Sequence, residues 1–223
     1  MNAPSPAPSR SDLSRAALIG AGLDLFGREG FDAVSTRTIA AAARVNIAAI
    51  AYHFGGKSGL RQACADFIVE TVRGVIGPVL ARFPDATIDA LSPAAAEAVI
   101  GDLVSAMAGF LVGQPRAEAI ARFVIREQFD PSPAFETIYA GILAPTHGRV
   151  CRLFARATGQ DPEAEPVRLA VFALVGQIIY FRIGRPVVLR RMGWETMGPA
   201  ESATIVDLLR DQTRAAIAAH RRL

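Results

Sequence analysis

Apolar residues recur at the spacing of an α-helix along most of this 223-residue chain. Near the N-terminus, for example, Leu18, Leu25 and Phe26 fall on one helical stripe. Half of the residues (51%) are hydrophobic, many of them are alanine, and runs of β-branched residues are rare. Because the abundant alanine, leucine and arginine all favour helix, the chain is predicted to be all-α.

The first quarter of the chain contains the signals for four helices, each bounded by capping residues. They are 12–29 ending at Gly30, 36–43 after Ser35, 47–53 after Asn46 and ending at Gly55, and a long helix from Lys57. The second and third helices are short and lie about three residues apart. Such a pair is typical of a helix-turn-helix, whose second helix enters the DNA major groove.

The positive charge is concentrated in the same region. Residues 1–62 carry seven basic and four acidic side chains, whereas residues 63–223 carry 17 of each. A basic module on a neutral body indicates an anionic partner for that module. Ala48 and Ala49 would let the third helix approach the groove closely, and Lys57, the only lysine, is predicted to bind phosphate together with the fourth helix N-terminus. The alternative is a structural three-helix bundle with one exposed lysine.

Residues 10–62 resemble the DNA-binding domain of the tetracycline-repressor (TetR) family. The resemblance is carried by the motifs Phe-x-x-x-Gly-Phe, Ile-Ala, Tyr-His-Phe and Gly-x-Lys within "LDLFGREGFDAVSTRTIAAAARVNIAAIAYHFGGKSGL". It implies that the following residues form the DNA-binding surface: Ser35, Thr36, Arg37, Asn46, Ala48, Ala49, Tyr52, His53 and Lys57.

One residue departs from the family pattern. The family usually has glycine in the turn of the helix-turn-helix, and this chain has Arg44. A non-glycine residue in a left-handed conformation costs roughly 1 kcal/mol. Either the turn is adjusted, or Arg44 is present because its side chain reaches phosphate; we favour the second and include Arg44 among the DNA-binding residues.

The chain is divided by these signals into a disordered tail (1–11), a helix-turn-helix domain (12–62) and a helical body (63–223) that binds an effector and dimerises. The body is predicted to contain helices over 57–82, 93–113, 115–128, 134–158 with an interruption at Pro145, 163–185 and 199–221, whereas 186–197 is assigned no element. The motif "IREQFDPSPAFETIYAGILAP" resembles the subgroup whose C-terminal domain is like that of the regulator CecR.

A homodimer is predicted from the penultimate helix, which carries no charge between Arg168 and Arg182. A helix that is apolar all round must be buried on every side. Paired with the last helix and a symmetry mate, it would form a four-helix interface, as the TetR resemblance also implies. The alternative is a helix buried in a monomer core. No membrane span is expected, because the uncharged apolar run 169–181 is shorter than the roughly 20 residues that a bilayer requires.

An effector pocket is predicted in the body from two charged residues in register with apolar stripes, Glu127 and Arg182. Buried charges need partners, so these two either pair with each other or orient a ligand. The residues that would line the pocket with them are Met107, Phe110, Phe123, Tyr139 and Tyr180.

These features predict a cytoplasmic, ligand-responsive homodimeric transcriptional regulator. It would act as a repressor that a small molecule releases from a palindromic double-stranded DNA operator. No cofactor or metal site is expected, and the scattered histidines and missing catalytic motifs argue against an enzyme. Two alternatives are a redox sensor that uses Cys64 or Cys151, and a DNA-binding module whose body binds protein partners without a small ligand.

Overall fold

All of the regular structure between residues 9 and 221, the part of the chain that this computed structural model describes, is helical. The helices are α1 (Arg10–Glu29), α2 (Thr36–Ala43), α3 (Ala48–Phe54), α4 (Lys57–Ala81), α5 (Pro93–Gly113), α6 (Arg116–Phe129), α7 (Pro133–Ile138), α8 (Ala144–Thr158), α9 (Glu165–Ile183), α10 (Arg185–Met192) and α11 (Pro199–His220). A 3-10 helix at Asp85–Ala90 precedes α5, and a π-helical turn at Tyr139–Leu143 joins α7 to α8. The all-α prediction is confirmed.

Helix α1 begins two residues earlier than the sequence analysis expects. Ser9 is its N-cap: its side chain accepts a hydrogen bond from the Asp12 backbone, and Asp12 accepts one from the Ser9 backbone in return. This reciprocal capping box satisfies two amides that the helix itself cannot. Hydrogen bonding by the Ser9 side chain also lowers the pKa of Asp12. Residues 10 and 11, which were predicted to belong to the disordered tail, are therefore helical. Residues 1–8 of that tail lie outside the described part of the chain.

The segment 134–158, predicted as a helix interrupted at Pro145, consists of α7, the π-helical turn and α8, so the interruption lies just before the proline. Pro145 has no backbone N–H, so the carbonyl four residues earlier, that of Gly141, cannot be satisfied within a continuous α-helix. The Arg73 Nη2 donates to this carbonyl at 3.1 Å. A Cβ atom on Gly141 would lie 2.9 Å from a Val69 methyl group, so only glycine allows this approach.

Helix α10 occupies most of the segment to which no element was assigned. None of its residues is buried, and it ends at Gly193, which adopts a left-handed conformation with φ 69°. Because α10 has no buried stripe, the sequence offers no apolar periodicity from which to predict it.

Residue contacts divide the chain into two compact units. Unit 1 contains the N-terminal part up to Ile68 together with Arg122–Ile138, and unit 2 contains Val69–Ala121 together with the remainder from Tyr139 onward. The sequence analysis assigned all of 63–223 to the body. The second half of α6 and α7 instead group with the helix-turn-helix.

Apolar side chains from α1, α2, α3 and the start of α4 form the core of unit 1. Leu18, Ile39, Ile50 and Leu60 are at most 2% exposed. Phe123 from α6 joins them, with its ring 6.5 Å from that of Phe26. The core of unit 2 is built around α5, which packs against α11, α8 and α9.

The junction between α3 and α4 depends on a glycine. A Cβ on Gly59, in the first turn of α4, would lie 1.8 Å from the backbone oxygen of Phe54, the last residue of α3. Gly74 lies in the same helix with nothing within 4 Å of the corresponding position.

Gly59→Ala is expected to lower the free energy of unfolding by about 1–3 kcal/mol, because the new methyl group overlaps a backbone atom. Gly74→Ala, the same change at an open position of α4, is expected to raise it by roughly 0.5–1 kcal/mol through helix propensity. Urea denaturation of both variants measures the difference. Equal stabilities would contradict the close approach of α3 to α4.

Candidate functional site

The turn between α2 and α3 contains the strained residue that the sequence analysis singled out. Arg44 has φ 55° and ψ 41°, and among the described residues it is the one non-glycine residue with a positive φ. Its N–H bonds the Ala41 carbonyl at 3.1 Å, and the Val45 N–H bonds the Ala40 carbonyl at 3.0 Å. The turn is therefore not adjusted to avoid the left-handed conformation. The Arg44 side chain is exposed.

Helix α3 presents a surface of short side chains. Ile50 anchors it at 2% exposure, while Ala48 and Ala51 are exposed and Tyr52 is 81% exposed. The Asn46 side-chain oxygen accepts from the Ala48 N–H at 2.9 Å, but the N-cap position of α3 is Ile47 and not Asn46 as predicted. The helix begins one residue later than expected, at Ala48.

The predicted DNA-binding residues divide into exposed side chains and side chains that are used within the fold. Arg37, like Arg44, is exposed. The Ser35 hydroxyl caps α2 by accepting from the Thr38 N–H at 3.0 Å. The less accessible members, each half-buried, are Thr36, Ala49, His53 and Lys57.

Lys57 has a different role from the predicted one. Its ammonium donates to the carbonyls of Phe31 at 2.8 Å and Val34 at 2.9 Å, and it lies 4.2 Å from the centre of the Phe31 ring. Two of its three donors are therefore used to hold the connection between α1 and α2. These bonds contradict the predicted phosphate clamp, which requires a free ammonium.

A buried ion pair adjoins this lysine. The Arg61 guanidinium lies 4.7 Å from the centre of the Phe31 ring, which Lys57 also contacts. The Arg61 Nε donates to Glu127 Oε1 at 2.6 Å. The second Glu127 oxygen accepts from the Ser132 hydroxyl at 2.6 Å. The Glu127 residue is 2% exposed. Its charge is thus neutralised and hydrogen-bonded within unit 1, as a buried carboxylate requires.

Arg182 is buried elsewhere, in unit 2, at 7% exposure. Its guanidinium donates to the carbonyls of Leu111, Val112 and Gln114, including a bond to Gln114 at 2.9 Å, and it lies 3.9 Å from a Glu118 oxygen. It therefore caps the carboxyl end of α5. The alternative in which Glu127 and Arg182 pair with each other is wrong, because each has other partners.

The aromatic residues predicted to line an effector pocket have unequal surroundings. Phe123 belongs to the core of unit 1 and Phe110 is 2% exposed in unit 2. Tyr139 and Tyr180 are 49% and 50% exposed, and Met107 is half-buried. Phe123 and Glu127 are corrected to structural residues of unit 1. A shallow open groove on α10 is lined by Pro186, Val187, Arg190 and Arg191.

Both cysteines are buried. Burial, reinforced by the Glu127 carboxylate, raises the pKa of the Cys64 thiol far above its usual range. Burial also raises the pKa of Cys151. Because the thiolate is the reactive form, these shifts argue against the redox-sensor alternative. No cluster of three potential metal ligands occurs between residues 9 and 221.

Helix α9 has one buried and one exposed apolar face. Val171 and Ile178 face the interior of unit 2, whereas the outer face exposes large side chains by 42–61%: Leu169, Phe172, Val175, Tyr180 and Ile183. Ile178 of α9 and Leu209 of α11, the two helices predicted to form the dimer interface, are buried within the chain itself.

By length and composition, α5 and α9 could each cross a membrane, a property that core helices of soluble proteins share. The sequence estimate considered only the run 169–181, whereas α9 has 19 residues in all. This is weak evidence for a membrane span.

Comparisons with known proteins agree with this architecture. Residues 18–64 match the model of the bacterial regulatory proteins of the tetR family, and residues 96–220 match the C-terminal domain of the transcriptional dual regulator CecR. CecR of Shigella flexneri is 32% identical over 188 residues, 83% of this chain and 82% of CecR. The chain belongs to the TetR family.

Solved structures show the same fold. A TetR-family regulator from Streptomyces coelicolor aligns with a TM-score of 0.66 at 17% identity, over 97% of this chain and 92% of that one. AibR, in complex with isovaleryl coenzyme A and operator DNA, aligns with a TM-score of 0.64 at 13% identity, over 89% and 97%. Because the homologues are transcriptional regulators, the prediction that this TetR-family chain is not an enzyme is confirmed.

Three residues of this TetR-family site were missed by sequence reasoning. Arg61 and Ser132, the partners of Glu127, lie 66 and five residues away from it in sequence, and nothing local indicates the longer pairing. Ile47 is 48% exposed at the start of α3. A hydrophobic residue directly after Asn46 and outside the apolar stripes is the signal that could have identified it.

Glu127→Gln is expected to lower the free energy of unfolding by about 3–5 kcal/mol, because it leaves the Arg61 guanidinium without its carboxylate. Glu136→Gln, at an exposed position of α7, is the control and should change stability by no more than about 0.5 kcal/mol. Chemical denaturation measures both values. A Glu127→Gln protein as stable as the control variant would show that the ion pair contributes nothing.

Proposed function

We propose that the protein is a homodimeric TetR-family repressor that binds a palindromic double-stranded DNA operator through α2 and α3, and that a small molecule bound in unit 2 releases it. It acts in the cytoplasm, where its operator lies. The observation that carries the proposal is the exposed surface of α3, which presents short alanine side chains and Tyr52, while Arg37 and Arg44 are exposed elsewhere in the helix-turn-helix. Such a helix can approach base edges closely while its cationic neighbours contact phosphates.

The outer face of α9 supports the dimer. Its five large exposed apolar side chains form the kind of patch that marks an interaction surface. A two-fold dimer would place two copies of α3 on half-sites about 34–36 Å apart. Val187 and Met192 on α10, 61% and 55% exposed, continue the apolar surface along the chain.

The effector is proposed from the family and from one structural relative. AibR was crystallised with isovaleryl coenzyme A and operator DNA, so acyl-coenzyme A thioesters are suitable first compounds to test. Met107 and Tyr139 remain the proposed contacts, since their side chains are at least partly accessible, whereas Tyr180 belongs to the exposed face of α9 assigned to the dimer. Arg182 is better explained as the cap of α5, and Phe110 as core.

Release requires that the effector favour a conformation with lower affinity for DNA. Helices α4 and α6 are the elements that could communicate such a change, because each continues from one unit into the other. Lys57, Arg61 and Glu127 link the unit 1 portions of these two helices to the helix-turn-helix.

The proposal is tested by footprinting the purified protein on the DNA that flanks its own gene, with and without candidate effectors. Protection of a palindrome that an effector abolishes is expected. Because the relative CecR is named a dual regulator, a promoter fusion must also be assayed in a deletion strain: increased expression supports repression, and decreased expression would contradict it. If the protein binds DNA and a protein partner but none of the compounds, the result favours the alternative of a DNA-binding module whose body binds protein partners.

Arg44→Gln is expected to weaken binding to all DNA sequences and to reduce the log–log salt slope by about 1, because one phosphate contact is lost. Lys57→Met is expected to leave the slope unchanged and to destabilise the fold by about 1–3 kcal/mol, because two carbonyls lose their donor. Arg214→Gln, an exposed position of α11, is the charge-matched control. A slope reduced equally by the Lys57 variant would restore its phosphate role.

Leu169→Asp and Val175→Asp are expected to convert the dimer into a folded monomer, because each places a charge on the proposed interface. Phe129→Asp, at an 85% exposed apolar residue of unit 1, is the control and should remain dimeric. Sedimentation velocity at micromolar concentration distinguishes the species. A monomeric wild-type protein, or dimeric α9 variants, would contradict the proposal.

A further inference from the structure

Ile47 is a large, exposed apolar side chain in the helix-turn-helix, which also exposes Arg37 and Arg44. It lies immediately before α3 and is 48% exposed, although nearly every other isoleucine of unit 1 is buried. Its backbone is helical, with φ −55° and ψ −33°. A β-branched side chain on a helical backbone has essentially one rotamer, so its methyl groups have a defined position beside Ala48.

Polar side chains at the starts of α2 and α3 are hydrogen-bonded within the fold. The Asn46 amide oxygen accepts from the Ala48 N–H, and it would have to give up this bond to pair with adenine in the usual bidentate manner. At the start of α2, the Ser35 and Thr38 hydroxyls lie 2.8 Å apart and bond each other. The leading end of α3 therefore offers methyl groups rather than donors and acceptors.

Thymine is the base that such a surface distinguishes. In the major groove, adenine, guanine and cytosine present only hydrogen-bonding groups, whereas thymine adds an apolar methyl group at C5. The flanking Arg37 and Arg44 are exposed and complement phosphates of any sequence. They can hold the duplex against α3 without distinguishing one base from another.

We propose that Ile47, together with Ala48 and Ala51, selects thymine by contact with its C5 methyl group, so that thymines face the start of α3 in each half-site. This inference rests on the proposed function, since it requires that α3 enter the major groove. It names Ile47 as a specificity-determining residue and the thymine methyl group as its ligand.

The size of the effect follows from burial of one methyl group. A buried methyl is worth about 0.8 kcal/mol, which corresponds to a roughly fourfold change in affinity. A palindrome contains the contact twice, so replacing one symmetric pair of thymines by uracil should weaken binding about 15-fold. Uracil differs from thymine only by the missing methyl group and keeps all hydrogen bonds.

The probe is a duplex that the wild-type protein selects from a randomised pool, made with deoxyuridine at one symmetric pair of thymines at a time. At least one pair is expected to show the 15-fold loss, with an unchanged salt slope and unchanged affinity for unselected DNA. If no DNA is selected, the proposed function itself fails. If DNA is selected but every uracil duplex binds as the thymine duplex does, the function stands and the thymine inference is wrong.

The Ile47→Ala variant tests whether Ile47 is the residue responsible for the discrimination between thymine and uracil. The variant should fold, since the position is half exposed and alanine favours helix, and it should bind thymine and uracil duplexes with nearly equal affinity at the sensitive pair. Leu13→Ala, at a 57% exposed leucine of α1, is the matched control and should keep the full discrimination. An Ile47→Ala protein that also keeps it would exclude Ile47 as the residue that contacts thymine.

Discussion

The placement of the helix-turn-helix depends on a single ammonium group. In the connection between α1 and α2, the carbonyls of Phe31 and Val34 accept hydrogen bonds from Lys57. Buried carbonyls need a donor, and the lysine at the start of α4 supplies two hydrogen bonds from one atom. The centre of the Phe31 ring lies 4.2 Å from the same nitrogen. A compact ammonium can direct its donors at both carbonyls, whereas a guanidinium presents its donors in a rigid planar fork.

Local signals in the sequence predicted most of the helices, because helix ends are determined by residues close to them. The side chains of Ser35 and Ser92 accept hydrogen bonds from backbone N–H groups in the first turns of α2 and α5. The apolar stripes indicated which faces of the helices are buried. The failures have identifiable causes. Helix α10 lacks a buried stripe. The interruption predicted at Pro145 lies slightly earlier, at Tyr139–Leu143, where the Gly141 carbonyl accepts from Arg73, a residue far away in sequence.

The charged residues show the limit of pattern analysis more clearly. Periodicity correctly predicted that Glu127 and Arg182 are buried, because it reports which face of a helix points inward. It cannot report what lies opposite. Glu127 meets Arg61 across 66 residues of sequence, and Arg182 meets carbonyls at the end of α5. The same limit applies to α9: an uncharged helix was predicted to be buried on all sides, but only the contacts show which face one chain covers and which it leaves exposed.

Affinity and specificity are assigned to different chemistry on this surface. The charge excess of residues 1–62 acts on phosphates, which are the same in every sequence. Arg44 keeps a left-handed backbone conformation that glycine would adopt without strain, at a cost of roughly 1–2 kcal/mol, and it gains an exposed guanidinium in the turn between the two helices. Discrimination must then come from side chains that touch base edges. The Asn46 oxygen is bonded to the Ala48 N–H, and the Ser35 and Thr38 hydroxyls are bonded to each other. The apolar start of α3 is the part of this surface that we propose reads bases, and apolar groups distinguish bases by their methyl groups alone.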